Sequence, residues 1–368
     1  MQDEAYMRLA LELARRGEGW TSPNPMVGAV VVRDDRIIGQ GWHQRCGEPH
    51  AERNALADCR ESPRGAVMYV TLEPCCHHGR QPPCVDALLE AGIARVVVGS
   101  GDPNPLVAGK GIRILRAHGV EVTEHVLEEE CLRFNQVFFH YIRTKRPYVV
   151  MKYAMTLDGK IAAYTGASRW VTGEEARAHV HRLRNRYRGI MAGVGTILAD
   201  DPLLTCRTEG GRDPVRIICD SALRTPLTAR VVATAREAPT ILATCCADPA
   251  RHRPYLDAGC QVLTVPGPDG RVDLPALMEQ LGELEIDSIL LEGGGTLNWS
   301  ALESGIVNKV MAYVAPKLFG GRDARTPVEG TGYPDPKEAP VLRGCTVAAL
   351  GGDFLLEGEV DGHVYGDR

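Results

Sequence analysis

The chain has 368 residues, which is long enough for two domains of ordinary size. With 44% hydrophobic and 24% charged residues, its composition excludes a disordered chain. No apolar stretch approaches the roughly 18 residues of a membrane span, and the net charge of −5 lacks the basic excess of a nucleic-acid-binding protein. We therefore expect neither a nucleic-acid partner nor a membrane.

The twelve cysteines raise the question of whether the protein lies in an oxidising or a reducing compartment. Disulfides suit short secreted chains, whereas this chain is long and starts with a polar helix that does not resemble a signal peptide. Cys219 and Cys260 lie in apolar runs, where small buried thiols are common. We predict reduced cysteines and a cytoplasmic protein.

The first part of the chain alternates predicted helices and strands. A helix over 4–16 and the proline-rich loop Thr21–Pro25 precede a hairpin of strands 27–32 and 37–41. The elements that follow are a helix starting beside Pro49, a strand over 66–71, a helix over 85–90, a strand over 95–99, a helix over 110–117, a strand over 120–122 and a helix over 127–141. This alternation predicts a three-layer α/β/α domain.

A second series of strands begins at Tyr148, after a boundary near 144–147. Its further strands are predicted over 190–192, 215–218, 240–242, 261–263 and 288–291, with loops over 265–270 and 320–340. We therefore predict two domains, residues 1–145 and 146–368, both of the α/β class.

One cluster of residues in the first domain has the pattern of a catalytic zinc site. His50, Cys75 and Cys84 supply an imidazole and two thiolates, which leave the fourth tetrahedral position open for water. Glu52 is placed to act as general acid and base, as in zinc-dependent base deaminases. Cys76, His77 and His78 compete for the ligand role, and a purely structural zinc site is the alternative interpretation. Asn24 is either a substrate contact or an ordinary turn residue.

The second domain offers weaker signals. Glu292 and the glycines after it end a buried strand just before a helix, whose free N–H groups could hold a pyrophosphate. A simple tight turn explains the same pattern. Arg184 and Arg207 could grip a phosphate, or they could be surface arginines.

The residues of the first domain resemble the deaminase half of the bifunctional riboflavin-biosynthesis deaminase/reductase family. The matching motifs are His50-Ala51-Glu52, the run from Pro74 to Cys84 including Gly79 and Arg80, Asn24-Pro25-x-Val27-Gly28 and Gly101-Asp102-Pro103-Asn104-Pro105. Cys76 replaces the usual serine of that family.

The second domain resembles the reductase half, which has a dihydrofolate-reductase-like α/β fold. The matching motifs are Lys152-x-Ala154-Met155-Thr156-Leu157-Asp158-Gly159-Lys160, Ser168-Arg169-Trp170, Gly193-Val194-Gly195-Thr196, the run from Asp200 to Arg207, and Glu292-Gly293-Gly294. Asn308 stands where an acid is more usual.

The resemblance implies a cytidine-deaminase-like first domain with one zinc ion per chain and a second domain that uses NADPH. The first domain would deaminate a diaminopyrimidinone bearing a ribosylamino 5′-phosphate, and the second would reduce its ribosyl group to ribityl. Implied cofactor contacts are Ala154, Trp170, Thr196, Asp200, Ser221, Gly293, Gly294, Gly295, Thr296, Leu297, Asn298, Trp299 and Ser300. Implied substrate contacts are Ser168, Arg184, Leu204, Arg207 and Glu292. We also expect a homo-oligomer, a dimer or a tetramer.

Two alternatives stay open at this stage. One is a nucleic-acid base deaminase with an appended domain, which the acidic balance and the long spacing between Cys75 and Cys84 disfavour. The other is a zinc-stapled interaction module, which would not need Glu52.

Overall fold

The structure is a computed structural model that describes residues 2–78, 81–104 and 107–361. Contacts within the chain divide it between Lys145 and Arg146 into two compact units. None of the helices in the described ranges combines the length and apolar character needed to cross a bilayer.

The amino-terminal unit is built on a five-stranded sheet of order β2-β1-β3-β4-β5. Its elements are α1 Gln2–Arg15, β1 Gly28–Arg33, β2 Arg36–Trp42, α2 Ala51–Ala57, β3 Val67–Leu72, α3 Cys84–Ala91, β4 Arg95–Ser100, α4 Lys110–Ala117, β5 Glu121–Thr123, α5 Glu128–Phe134 and α6 Gln136–Thr144. Strand β1 is antiparallel to β2 and β3, whereas β3, β4 and β5 are parallel.

Both faces of this sheet are covered by helices, because alternate residues of each strand point to opposite sides. Val30 and Val32 pack with α1 and α5, whereas Ala29 and Val31 pack in the cluster that contains residues of α2, α3, α4 and α6. The unit is therefore the three-layer α/β/α arrangement that the alternation of elements predicts.

The helix predicted over 127–141 is divided in two at Asn135. The amide of Asn135 accepts a hydrogen bond from the backbone N–H of Met26 and donates one to the carbonyl of Met26, both at 2.9 Å. These two bonds bind the loop before β1 to the break between α5 and α6.

The carboxy-terminal unit has a nine-stranded sheet of order β10-β9-β8-β7-β11-β6-β12-β14-β13. Its elements are β6 Tyr148–Thr156, α7 Glu174–Arg186, β7 Gly189–Gly193, α8 Val194–Asp200, β8 Val215–Cys219, α9 Arg230–Ala233, β9 Thr240–Thr244, α10 Pro249–Asp257, β10 Gln261–Thr264, α11 Leu274–Glu283, β11 Ser288–Leu291, α12 Gly295–Glu303, β12 Val307–Ala315, β13 Leu342–Leu350 and β14 Asp353–Val360. The strands predicted in this half are all present, and the loop over 320–340 contains no strand or helix.

The last three strands were not predicted from the sequence. Strand β12 is parallel to β6, and β14 and β13 extend the sheet in antiparallel order. Asn308 lies at a register shift between Val307 and Lys309, where its side-chain oxygen accepts the N–H of Val149 at 2.8 Å. The asparagine thus supplies the acceptor that a regular ladder would take from the backbone.

Candidate active sites

Three side chains that could hold a metal ion meet where three elements of the amino-terminal unit begin or end. His50 is the N-cap of α2, Cys75 follows β3 after Glu73 and Pro74, and Cys84 is the first residue of α3. The donor atoms of His50, Cys75 and Cys84 lie within 4.8 Å of one another, and Cys76, His77 and His78 are not in this group.

The distances between these donors suit a tetrahedral zinc ion. His50 Nδ1 is 3.5 Å from Cys75 Sγ and 3.4 Å from Cys84 Sγ. Zinc bonds to nitrogen and sulfur at tetrahedral angles would place such atoms about 3.6 Å apart. An imidazole and two thiols at this spacing are also the donor types that zinc prefers.

The thiols of Cys75 and Cys84 shift each other's pKa. The backbone N–H of Cys84 donates to Cys75 Sγ at 3.3 Å, at the start of α3. The hydrogen bond from the Cys84 thiol lowers the pKa of Cys75 to about 4, and the same contact raises the pKa of Cys84. The negative charge of one thiolate therefore disfavours ionisation of the second thiol. A bound cation would offset this repulsion and allow both thiols to lose their protons.

Glu52 lies in the first turn of α2, two residues after His50, and its side chain is buried. Burial, followed by the negative charge of Cys75, raises the pKa of Glu52 to about 6. A carboxyl group that titrates near neutral pH can both accept and return a proton, which is the requirement for general acid/base catalysis.

A buried histidine that the sequence did not indicate also lies beside His50. The rings of His43 and His50 meet edge to face with centroids 5.3 Å apart. Burial lowers the pKa of His43 to about 4, so the ring is neutral at pH 7. Nδ1 of His43 is 3.2 Å from the Pro49 carbonyl and Nε2 is 3.2 Å from Asn24 Nδ2. A neutral ring that donates to the carbonyl must accept from Asn24, so these bonds fix the tautomer of His43 and orient the Asn24 amide.

Glu73 is a second residue that the sequence did not indicate. Its buried carboxylate accepts backbone N–H groups of Gly109, Gly111 and Ile112 at 2.8, 3.0 and 3.4 Å. These bonds tie the end of β3, which leads into Cys75, to the start of α4. The motif residues Gly79, Arg80 and Pro105 lie outside the described residues.

The carboxy-terminal unit has a cavity of about 630 Å³ where β7, β8 and β11 end, beside the second half of β6. Most of the residues expected to contact cofactor or substrate line it: Ala154, Ser168, Thr196, Asp200, Ser221, Glu292, Gly293, Gly294, Gly295, Thr296, Leu297 and Ser300. Helix α12 begins in this cavity at Gly295, with Gly294 as an N-cap that has no side-chain hydrogen bond.

The cavity glycines differ in the space beside them: Gly195 faces open space, whereas a Cβ on Gly295 would lie 2.4 Å from Glu329 Cγ. A Cβ built on Gly195 would meet no atom within 4 Å, although Gly195 lines the cavity. The uncapped start of α12 offers N–H groups and a positive dipole end at the same place. Open space at Gly195 beside the N-terminus of α12 is compatible with a dinucleotide pyrophosphate.

The other expected contacts do not line the cavity. Leu204, Asn298 and Trp299 are buried, and Asn298 Nδ2 donates to the Pro327 carbonyl at 2.8 Å. Trp170 is exposed and stacks under the guanidinium of Arg177. The exposed Arg207 forms no hydrogen bond or ion pair in the described part of the chain.

Arg184 is held in an ion pair with Glu292. Its Nε and one terminal nitrogen donate to the Glu292 carboxylate at 2.8 and 3.0 Å, and its other terminal nitrogen donates to the Thr205 carbonyl. Lys152 Nζ is 3.0 Å from the same carboxylate. Burial raises the pKa of Glu292, but Arg184 and Lys152 outweigh it and hold that pKa well below its usual range. Glu292 is therefore ionised, as the counter-charge of Arg184 and Lys152 in the wall of the cavity.

Two known protein families match separate parts of the chain. Residues 1–100 match the zinc-binding region of cytidine and deoxycytidylate deaminases, and residues 147–356 match the RibD C-terminal domain.

Relatives match along almost the whole chain. The riboflavin biosynthesis protein RibD of Actinobacillus pleuropneumoniae is 54% identical over 97% of this chain and 95% of its own length. The RibD protein of Escherichia coli K12 is 42% identical over 97% and 99%.

Solved structures are similar over the whole length as well. The diaminohydroxyphosphoribosylaminopyrimidine deaminase/5-amino-6-(5-phosphoribosylamino)uracil reductase of Thermotoga maritima is 39% identical, with a TM-score of 0.85 over 98% of this chain and 99% of that one. Acinetobacter baumannii RibD is 36% identical, with a TM-score of 0.87 over the same shares. These similarities confirm the predicted fold class of both halves. The chain therefore belongs to the RibD family of riboflavin biosynthesis, in which a zinc-dependent deaminase is joined to an NADPH-dependent reductase.

Proposed function

We propose that residues 1–145 hydrolytically deaminate a diaminopyrimidinone that carries a ribosylamino 5′-phosphate, and that residues 146–368 reduce the ribosyl group of the product to ribityl. The convergence of His50, Cys75 and Cys84 beside the buried Glu52 carries the first assignment. The cavity at the start of α12, with Glu292 in its wall, supports the second.

In the deaminase, His50, Cys75 and Cys84 would hold the zinc ion, and Glu52 would move the protons. Bound zinc supplies Lewis-acid activation of water at neutral pH. Glu52 would accept one proton from the attacking water, whose oxygen bonds to the ring carbon that carries the amino group, and would pass this proton to the neighbouring ring nitrogen. Glu52 would then carry the remaining hydroxyl proton to the amino group, so that the C–N bond breaks, ammonia leaves and a carbonyl remains.

Burial of Glu52 serves this cycle because the carboxyl group needs a pKa close to the working pH in order to act in both directions. The neutral His43 holds the Asn24 amide beside the zinc ligands, which supports a substrate-binding role for Asn24.

In the reductase, the backbone from Gly293 to Thr296 would hold the cofactor pyrophosphate, and Ala154, Thr196, Asp200, Ser221, Leu297 and Ser300 would complete its site. NADPH supplies hydride, which reaches C1′ of the sugar. Ser168 and Glu292 would contact the substrate from the cavity wall. Arg207, exposed and without a partner in the described residues, is free to bind the substrate phosphate, whereas Arg184 acts by holding Glu292.

We also propose that the protein is a cytoplasmic homo-oligomer. All twelve cysteines are free thiols, as a reducing compartment requires. Strand β13 is an exposed sheet edge, with Val347 66% exposed and Val341, just before the strand, 60% exposed, and pairing with a second copy would cover such an edge.

The Glu52→Gln variant tests the deaminase assignment. The amide fills the same space but cannot shuttle a proton, so we expect deamination to fall about 10²- to 10⁴-fold. Zinc content, and NADPH-dependent reduction of the deaminated intermediate supplied directly, should stay at the wild-type level. Ammonia release, with metal content per chain, measures both.

Near-normal ammonia release from Glu52→Gln would remove Glu52 from the mechanism. Glu12→Gln is the matched control, because Glu12 is an exposed residue of α1 outside the site. Wild-type protein that released no ammonia from the phosphorylated pyrimidine would contradict the proposed substrate.

A further inference from the structure

The cavity of the carboxy-terminal unit continues beyond the start of α12 to two loops that carry arginines. Ser221 and Arg224 lie in the loop after β8, and Arg271 and Val272 lie in the loop between β10 and α11. Both loops line the same cavity, so they present two positive charges and a hydroxyl group to whatever fills that end.

Neither arginine is used by the fold. Arg224 is exposed and forms no hydrogen bond or ion pair in the described parts of the chain. Among the described residues, the Arg271 side chain pairs with Asp269 alone, at 3.7 Å, and both of these side chains are more than half exposed. Exposed pairs of this kind contribute little, so both guanidinium groups are available to a ligand.

The two loops are held together by Ser221. Its hydroxyl group accepts the backbone N–H of Val272 at 3.2 Å, directly after Arg271. Its carbonyl accepts the N–H of Cys245 and the hydroxyl group of Thr244, both at 3.1 Å, at the end of β9. The two arginines therefore lie on loops that hydrogen bonds of Ser221 hold together.

The acid of this turn points away from the cavity. Asp220 is fully buried, and its Oδ2 accepts the backbone N–H and the hydroxyl group of Thr225 at 2.6 and 2.8 Å. In dinucleotide sites an acid at the end of a strand binds the ribose 2′-hydroxyl of NADH, whereas an arginine accommodates the 2′-phosphate of NADPH. Here Asp220 binds Thr225 inside the turn, and Arg224 and Arg271 line the cavity.

The position along the sheet is consistent with an adenosine ribose. Strands β11, β7 and β8 are neighbours in that order, and the pyrophosphate cradle lies at the end of β11. At about 4.8 Å per strand, the β8 turn lies on the order of 10 Å from the cradle. This is the side on which the adenosine half of the cofactor would extend.

We propose that Arg224 and Arg271, together with Ser221, bind the 2′-phosphate of NADPH and select it over NADH. The inference rests on the proposed reductase function and adds to it the residues that determine cofactor specificity. Guanidinium groups bind phosphate by paired, charge-assisted hydrogen bonds, which a 2′-hydroxyl group cannot replace.

The test measures binding to the full-length protein by calorimetry, with 2′,5′-ADP and 5′-ADP as probes that differ in the 2′-phosphate. Arg224→Ala and Arg271→Ala should each weaken the binding of 2′,5′-ADP at least tenfold, because charge-assisted hydrogen bonds are lost. The affinity for 5′-ADP should change less than twofold. The affinity for NADPH should likewise fall in both variants, while the affinity for NADH should change little. Arg224→Lys, which keeps the charge, should lose less than Arg224→Ala.

Arg253→Ala is the control, because Arg253 pairs with Asp257 on α10 and does not line the cavity. It should leave both affinities unchanged, and the melting temperature of every variant checks its fold. Equal losses for both probes in both alanine variants, or no loss for either, would overturn the inference. Wild-type protein that failed to bind NADPH would instead contradict the reductase function itself.

Discussion

At the scale of single residues, the zinc site depends on which thiols face His50. Cys75 and Cys84 do so, at 3.5 and 3.4 Å, while the neighbouring Cys76 is outside the group. We predict that Cys84→Ser loses zinc and deaminase activity together, because serine is a poor zinc ligand. Cys76→Ser should keep both.

Metal content per purified chain distinguishes the two cysteine variants. Cys76→Ser is the matched control, since it makes the same chemical change one residue after a ligand. Zinc loss from Cys76→Ser with retention in Cys84→Ser would transfer the ligand role to Cys76.

A second prediction concerns the Glu292 carboxylate between Arg184 and Lys152. Glu292→Gln leaves two largely buried cations without their counter-charge, which costs about 3–5 kcal/mol in the free energy of unfolding at pH 7. Burial raises the pKa of Glu292, but the two cations lower it far below its ordinary value of 4.5. The stabilisation is therefore fully present above that pH and is lost as the pH falls towards the lowered pKa.

Urea unfolding of wild type and Glu292→Gln between pH 7 and pH 3 measures this effect. The difference in unfolding free energy should be constant at neutral pH and should shrink below about pH 4.5. Glu279→Gln, which breaks an exposed ion pair with Arg146, should cost less than about 1 kcal/mol. A Glu292→Gln protein as stable as wild type would show that the pair does not stabilise the fold.

At the scale of elements, the position of α2 decides whether His50 and Glu52 reach the zinc site. Strand β2 presents Gly41 to this helix so closely that a Cβ would lie 2.2 Å from the Ala55 nitrogen and 2.6 Å from the Ala51 carbonyl. Gly39 meets the Ala55 carbonyl in the same way. Only glycine allows the helix to lie this near the strand.

Gly41→Ala should therefore move α2 away from the sheet. We expect a loss of about 1–3 kcal/mol in the free energy of unfolding, as for other overpacked sites. Deaminase activity should fall more than reductase activity, because only the deaminase site includes α2.

The control is Gly352→Ala in the turn between β13 and β14, where a Cβ would meet no atom within 4 Å. Melting temperature and ammonia release, measured for both variants, test the prediction. A Gly41→Ala protein with unchanged deamination would mean that α2 does not set the geometry of the site.

At the scale of the whole molecule, each compact unit has its own sheet and its own hydrophobic clusters. We predict that a chain cut between Lys145 and Arg146 gives two folded pieces, because each is long enough to bury a core. Residues 1–145 should bind zinc, and residues 146–368 should bind NADPH. Circular dichroism, metal analysis and cofactor titration of the separate pieces check this, with the intact chain as the control. A folded carboxy-terminal piece unable to bind NADPH would contradict the domain assignment.

The sequence by itself determined the alternation of strands and helices, because the apolar patterns that mark them are local. It also indicated His50, Glu52, Cys75 and Cys84, since a ligand motif at a helix start is readable from neighbouring residues. The glycines from Gly293 to Gly295 were visible for the same reason.

Only the tertiary structure decided features that depend on contacts distant in sequence. Asn135 ends a helix because its partner is Met26, and His43 lies in the deaminase site because strand β2 delivers it beside His50. The order of β12, β14 and β13 depends on pairing between strands separated by a long loop. Arg224 and Arg271 are far apart in sequence and line one cavity because two turns, joined through Ser221, bring them together. Spacing along a chain records which groups are neighbours on one element, whereas the convergence of separate elements is set by how their buried faces pack.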